Sequence, residues 1–213
     1  MSNNSQNTFR LRPMERADLD SVLSWFQDVE DLARFDRTTR VPLNTSHAEE
    51  FWRDSFTSSD ASRKCWFVVE SSAGEAVGLA GLESISNINR DAVVAVFVNK
   101  AMRRSGVGLR ASALVLDLAF RQLGLNRITS YYREDNHHSR DLVAKIGFQI
   151  EGTMRQAWFA EGEFQDMVVV GILKSEWMVR RNVLAQELDA NTIVTLGPND
   201  CAAWSWPPQI AEV

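Results

Sequence analysis

The run Arg103-Arg104-Ser105-Gly106-Val107-Gly108 is the part of the chain best equipped to hold an anion. It lies between an apolar stretch, Ala92 to Val98, and a stretch with helical spacing of apolar residues, Leu109 to Leu123. A glycine-rich turn leading from a strand into a helix gathers unpaired backbone N–H groups and the positive end of the helix dipole at one point. Such a point suits a phosphate or a diphosphate. Gly106 and Gly108 carry no Cβ to hold a ligand off. Arg103, Arg104 and Arg110 supply local positive charge.

Three phosphate-binding turns share this composition. A P-loop needs Lys-Ser or Lys-Thr after its last glycine, and neither pair follows here. The dinucleotide fingerprint fits formally at Gly106-Val107-Gly108-Leu109-Arg110-Ala111. It calls, however, for an early position in the domain and an acidic residue about 20 positions on, at the end of a second strand. Here the turn lies mid-chain, and Arg127 to Tyr132 fill that interval, with Glu134 and Asp135 only after them. The third pattern is Arg/Gln-x-x-Gly-x-Gly/Ala, the diphosphate turn of acyl-CoA-dependent N-acetyltransferases.

The elements that position the turn can be read from periodicity. Phe9 to Pro13 alternates as a first strand, and Glu15 to Asp28 places Leu19, Val22, Leu23 and Phe26 at helical spacing. Ala33 to Asn44 shows no period; Thr45 or Ser46 then caps a helix with Phe51, Trp52 and Phe56. Trp66 to Val69, Ala76 to Ile85 and Ala92 to Val98 read as strands joined by turns at Gly74 and at Asn87 to Asp91. The last of these is apolar throughout, as a strand covered on both faces is. Arg127 to Tyr132 is a strand, Asn136 to Ile146 a helix stopped by Gly147, and Gly124 a C-cap of the preceding helix. Phe148 to Ile150, Met154 to Phe159 and Phe164 to Leu173 are the last strands, with Glu161-Gly162 as a tight turn. The fold class is α/β, with a mixed sheet and a strand–helix–strand unit around the turn.

At 213 residues the chain supports one sizeable core. A formal charge of −5 argues against nucleic acid as the main partner. Cys65 and Cys201 lack metal spacing and read as free thiols of a reducing compartment. Met1 to Thr8 is polar, so no signal peptide is expected. No run of about 20 apolar residues is present, so no membrane span is expected and the protein reads as cytoplasmic. His47, His137 and His138 have no ligand partners at metal spacing, which gives no metal site.

Downstream of the turn come Asn136-His137-His138-Ser139, Lys145-Ile146-Gly147-Phe148, Glu151-Gly152, Arg155, Phe159, Gly162, Asp166 and Glu176-Trp177. In this order, with the turn, they resemble the GNAT superfamily of N-acetyltransferases, most closely its ribosomal-protein alanine N-acetyltransferase branch. The resemblance runs from Phe9 to Trp177. It implies a mixed, mostly antiparallel central sheet flanked by helices, with a strand–loop–helix acyl-CoA site. It also implies a GNAT domain over residues 1–177, followed by an extension over 178–213 made of a helix and a tail. Trp204 and Trp206 in that tail are costly to leave wet. They either pack across their own domain or form a homodimer contact.

The resemblance assigns acetyl-CoA as co-substrate and an amine as acceptor. Val96, Phe97 and Val98 would offer main-chain groups to the pantetheine arm. Arg103, Arg104, Ser105, Gly106, Val107 and Gly108 would hold the diphosphate, and Asn136 would touch the cofactor or an ordered water besides capping its helix. Many relatives protonate the leaving thiolate with a tyrosine where this chain has Val143; the ribosomal branch carries a serine, matched by Ser139, which becomes the candidate acid.

Relatives place a glutamate base where this chain has Val93, or Trp158. Glu83 is the candidate substitute, with Asp166 second. Deprotonating a lysine-like amine of pKa ~10.4 at pH 7 costs about 4–5 kcal/mol, against about 1.4 for an α-amine of pKa ~8. An acceptor of low amine pKa therefore fits a site without a dedicated base. Trp158, Phe159, Phe35 and Trp52 are candidates for an aromatic acceptor wall, and Arg37 and Arg40 for contacts to an anionic acceptor group. The acceptor classes are a small molecule (an amino sugar, an aminoglycoside or an amino-acid derivative) and a protein N-terminus. The missing tyrosine and glutamate leave a second reading, a non-catalytic acyl-CoA-binding module.

Overall fold

An alternating first strand and two nearly continuous apolar runs after it pair into an antiparallel ladder. In the computed structural model, which describes residues 7–35, 42–56, 63–197 and 204–208, β1 (Asn7–Pro13) pairs with β2 (Cys65–Ser71) and β2 with β3 (Ala76–Ser86). β3 pairs in turn with β4 (Asp91–Val98). Alternation sends Phe67 and Val69 to one face of the sheet and Trp66 and Val68 to the other, so both faces are covered.

The first face carries α5 (Val107–Asp117), α6 (His137–Ile146) and α7 (Lys174–Glu187). On the second lie α1 (Leu19–Trp25), α2 (Val29–Phe35), α3 (Thr45–Phe51) and α4 (Arg53–Phe56). β5 (Arg127–Arg133) joins β4 in parallel, as a strand reached through a crossover helix must. β6 (Gln149–Ala160) and β7 (Glu163–Leu173) form a hairpin that pairs with β5 through β7. With β8 (Thr192–Leu196) and β9 (Ser205–Trp206) beyond β1, the strand order is β6-β7-β5-β4-β3-β2-β1-β8-β9, mixed and mostly antiparallel as expected.

Local departures from the expected elements have identifiable causes. The first helix is shorter than 15–28: a 3₁₀ turn over Arg16–Asp18 precedes α1, and Asp18 is held by the Arg12 guanidinium at 2.6 and 2.8 Å. A helix not expected from the periodicity, Val29–Phe35, runs into the first three residues of the stretch without period and is held by Leu32, buried against the N-terminal cluster. The cap of α3 is Asn44 rather than Thr45 or Ser46, its side chain accepting from the His47 N–H at 2.9 Å. The helix after the turn stays α-helical to Asp117 and widens into a π turn over Leu118–Gln122. The two short strands expected over 148–159 are one strand with register shifts. Arg37, Arg40 and Cys201 lie outside the described residues.

The stretch 178–213 was expected as a helix and a tail. Its described part continues α7 and adds β8 (Thr192–Leu196), parallel to β1, and β9 (Ser205–Trp206) against β8. Trp206 is fully buried in its own chain's core, 5.5 Å from the Trp177 ring. Asp117 ties this region together. Its carboxylate, 2% exposed, accepts from Trp177 Nε1 at 3.0 Å, Trp206 Nε1 at 3.2 Å and Arg181 Nε at 2.8 Å, with Arg121 Nη1 at 3.0 Å. Among the described residues no helix is long and apolar enough to cross a membrane.

Removing Asp117 strands four donors, three of them in or near the core. Asp117→Ala is expected to cost about 3–5 kcal/mol in urea unfolding. A loss below about 1 kcal/mol would show that the C-terminal strands are held by packing alone.

Candidate active site

β4 and β5 pair only from Asp91↔Arg127 to Val93↔Thr129, and then diverge. The last link between them is Ser130 Oγ donating to the Val94 carbonyl at 3.2 Å. Backbone groups alternate along an antiparallel partner, so the even residues of β4 face the gap and the odd ones face β3. Asn99 N–H on the Val77 carbonyl at 2.9 Å and Arg103 Nε on the Val98 carbonyl at 3.0 Å fit that alternation. Val96 and Val98 therefore open into the gap. Phe97 does not: its main chain pairs toward β3, and its ring is buried among the N-terminal helices. As a main-chain contact Phe97 is a correction, and its place is in the floor.

Beyond Val98, Asn99 Oδ1 takes the Met102 N–H at 3.0 Å and closes a 3₁₀ turn over Lys100–Met102. Arg104 (φ 66°) and Gly106 (φ 80°) then reverse the chain into α5. Gly106 is required there, since a Cβ would add left-handed strain and sit 2.4 Å from Arg110 Nη1. Gly108 packs directly on Val98, where a Cβ would stand 3.1 Å from Cγ2. The Val107 N–H has only the long 3.4 Å contact with Ser105 Oγ, and the first-turn N–H groups of a helix have no intrahelical acceptor.

The three arginines expected around this turn have different roles. Arg104 is exposed and has no hydrogen bond or ion pair among the described residues. Arg103 reaches across the mouth of the gap to Asp31 of α2 and lies 5.6 Å over the Phe97 ring. Arg110 is 2% exposed and turns inward, so it adds no mobile charge at the surface of the turn. Burial pushes its guanidinium below the usual arginine pKa range, opposed by the Asp189 carboxylate.

The far side of the gap is fastened to α2. Arg133 Nη1 and Trp158 Nε1 both donate to the Ala33 carbonyl, at 3.3 and 2.7 Å, and Asn136 Nδ2 donates to the Arg34 carbonyl at 3.3 Å. These are carbonyls of a helix C-terminus, which lack intrahelical donors. With Lys100 on Asp28 and Arg103 on Asp31, α2 is tied on both sides of the opening. Nothing in the sequence marks Arg133 and Trp158 as holding it.

Asn136 caps α6, its Oδ1 accepting from the Ser139 N–H at 3.1 Å. Ser139 is half-buried in the first turn, and its hydroxyl makes no hydrogen bond among the described residues. Val143 lies on the buried face of α6, where no proton donor is available.

Glu83 sits opposite Val93, at the end where β4 and β5 still pair. Its carboxylate accepts from Trp66 Nε1 at 3.2 Å, with Lys64 Nζ at 3.7 Å. Ser139 follows the other end of β5, so the fold places the two catalytic candidates at opposite ends of the gap. Asp166 Oδ1 takes the Gln156 N–H at 2.8 Å, where Arg155, Gln156 and Ala157 bulge out of β6. Met154, Arg155, Gln156 and Asp166 line a surface cleft of about 690 Å³ there.

The aromatic wall is not assembled. Trp52 and Phe35 pack around Phe26, Trp158 is buried on Ala33, and Phe159 is 62% exposed beside Phe164 at the hairpin tip. No cluster of three or more potential metal ligands occurs among the described residues.

The family model for the acetyltransferase (GNAT) domain matches residues 8–149. Spermidine N(1)-acetyltransferase of Escherichia coli K12 is 24% identical over 194 residues, covering 86% of this chain and 96% of that protein. The protein YdaF of Bacillus subtilis is 30% identical over 104 residues, or 49% of this chain and 57% of YdaF, less than two thirds of that relative. Among solved structures, spermidine N-acetyltransferase from Vibrio cholerae in complex with CoA and spermine superposes with a TM-score of 0.72. That match has 23% identity over 80% of this chain and 98% of the other.

Gly106→Val is expected to weaken CoA binding at least tenfold in calorimetry while leaving a cooperative thermal transition. Unchanged affinity in the folded variant would separate this turn from the ligand.

Proposed function

The chain belongs to the GNAT acetyltransferase family, acyltransferases that use acetyl-CoA, and on that premise we propose that it moves an acetyl group from acetyl-CoA to a primary amine. One observation carries this reading: an opening between β4 and β5 whose free backbone edge leads directly into the Gly106-headed turn of α5.

The residues present fit such a donor. Val96 offers an N–H and a carbonyl to an amide-bearing arm laid along β4. The first-turn N–H groups of α5, with Arg104 beside them, suit a diphosphate. Acetyl-CoA supplies an activated acyl carbon and a thiolate leaving group. Ser139 holds the proton that the thiolate takes up, either on its own hydroxyl or on a water that it orders, and Asn136 fixes the start of its helix.

The acceptor enters from the side of α2, whose position over the opening Arg103, Arg133, Asn136 and Trp158 fix. Val93 and Trp158 fill the positions where relatives carry a base, and the Glu83 carboxylate is engaged by Trp66 and Lys64. This supports an amine that loses its proton readily. Deprotonating an α-amine at pH 7 costs about 1.4 kcal/mol, whereas deprotonating a lysine-like or polyamine nitrogen costs about 4–5. A protein N-terminus or an amino sugar thus fits the chemistry better than a polyamine, the class named for two of the similar proteins. The empty base positions also favour the alternative of an acyl-CoA-binding module without turnover.

A thiol-release assay with acetyl-CoA against alanine-led peptides, amino sugars, aminoglycosides and spermidine tests the proposal. Turnover is expected with one of the low-pKa classes; CoA binding without thiol release from any amine would assign the module instead. Ser139→Ala is expected to lower kcat by about 10²-fold or more with the KM for acetyl-CoA unchanged. Full turnover by that variant would remove Ser139 from the proton path.

A further inference from the structure

We propose that Arg110 is a positioning residue for the diphosphate turn, acting from beneath it together with Thr192 and Asp189 of the C-terminal segment. The proposal rests on the acetyl-CoA reading above and explains how the turn keeps a binding shape.

A trans peptide points its carbonyl and its N–H in opposite directions. The Ser105 carbonyl accepts from Thr192 Oγ1 at 3.2 Å, and the Gly106 carbonyl accepts from Arg110 Nη1 at 3.2 Å. Both oxygens are thereby drawn inward, toward the sheet side of α5. The N–H groups of the same two peptides, those of Gly106 and Val107, point away from those oxygens, the Val107 N–H making only the long 3.4 Å contact with Ser105 Oγ. Two successive N–H groups flanking a left-handed residue suit a concave anion site, and here a side chain grips the oxygen of each peptide, with the Arg110 backbone N–H also on the Gly106 oxygen at 3.4 Å.

Arg110 is an unusual choice for this place, since arginine is almost never fully buried unless it is paired. Its Nη2 donates to the Asp189 carbonyl at 2.7 Å, and the Asp189 carboxylate stands 3.4 Å away with its side chain 62% exposed. Nε has no acceptor among the described residues. The guanidinium is thus only partly neutralised, and its charge lies directly behind the N-terminus of α5. A cation there reinforces the dipole that those N–H groups present to an anion. Arg110 therefore does two jobs: it sets the Gly106–Val107 peptide, and it adds charge from within.

Asp189 and Thr192 are well fixed themselves. The Asn191 N–H donates to Asp189 Oδ1 at 2.9 Å, the Asn7 N–H donates to the Asn191 carbonyl at 2.7 Å, and Thr192 pairs with Asn7 in the β1–β8 ladder. Arg110 lies inside the family match, whereas Asp189 and Thr192 lie beyond residue 149, where that match ends.

The test compares the full chain with Arg110→Met, Arg110→Lys and Thr192→Val. CoA affinity is read by calorimetry, and turnover is measured with acetyl-CoA and with S-acetylpantetheine, which has no diphosphate. Arg110→Met and Thr192→Val are each expected to raise the CoA dissociation constant and the acetyl-CoA KM tenfold or more. The kcat, the amine KM and the rate with S-acetylpantetheine should stay unchanged, and Arg110→Lys should recover part of the loss. Unchanged CoA affinity in the folded variants, or an equal loss with S-acetylpantetheine, would overturn the proposal. If Arg110→Met fails to fold, Thr192→Val, nearly the same in shape, decides alone. A wild-type chain that binds no CoA would instead bring down the acetyl-CoA reading on which the proposal rests.

Discussion

The pairing of β4 with β5 ends after Val93 and Thr129, and much of the remaining architecture answers that break. A backbone edge inside a fold must find partners, because an unpaired N–H or carbonyl costs as much as a lost hydrogen bond. Two side chains cover the ends of the exposed edge: Ser130 takes the Val94 carbonyl and Arg103 the Val98 carbonyl. Between them Val96 is left to whatever enters the gap. The fold thus keeps open a slot that matches an extended chain of amides, and its far end leads to a helix N-terminus suited to negative charge. Strand divergence and anion turn are successive parts of one path.

An open slot weakens the sheet, and α2 compensates. It spans the opening, tied by Lys100 and Arg103 on the β4 side and by Arg133, Asn136 and Trp158 on the β5 side. The two sets of ties differ in kind. The charged pairs on the β4 side are at least partly exposed, and exposed ion pairs contribute little. The donors on the β5 side satisfy helix-terminal carbonyls, and Trp158 is buried while doing so. The β5 side therefore fixes α2 more firmly. Arg103 is shared between α2 and the turn, so any anion that draws Arg103 toward itself also pulls on the helix that spans the opening.

How much of this was legible in the sequence follows from how local each signal is. The Gly106-Val107-Gly108 turn, the helix after it and the strand before it are set by short-range chemistry, and the structure has all three where the sequence placed them. The Asn136 cap and the Gly147 stop were legible for the same reason. What pairs with what over long distances was not. Arg110 looked like one more surface cation because helix periodicity does not say that Asp189 will cover it. Trp158 and Phe159 go to opposite faces, as neighbours in any strand do, but which of them turns inward depends on the bulge before them, three residues against one, and that leaves no compositional mark. Phe97 shows the limit of a continuous apolar run: it reveals that β4 is covered on both faces, but the partner strand decides which peptides face the gap.

The C-terminal segment is the hardest part to infer and the most consequential for the site. Residues 178–213 have no place in the motif that identifies the turn, yet they bury Trp206 on Asp117 and set Thr192 and Asp189 against Ser105 and Arg110. The contacts span 79 and 87 positions of sequence. A six-residue motif is therefore insufficient for its own conformation, because left-handed backbone at a non-glycine residue such as Arg104 is held only where surrounding groups over-determine it. In this chain part of that constraint comes from a strand added at the far side of the sheet. The turn keeps its shape because β8 is locked to β1, and β1 to the rest of the ladder. Binding strength at the turn and stability of the sheet are consequently linked through the same few hydrogen bonds.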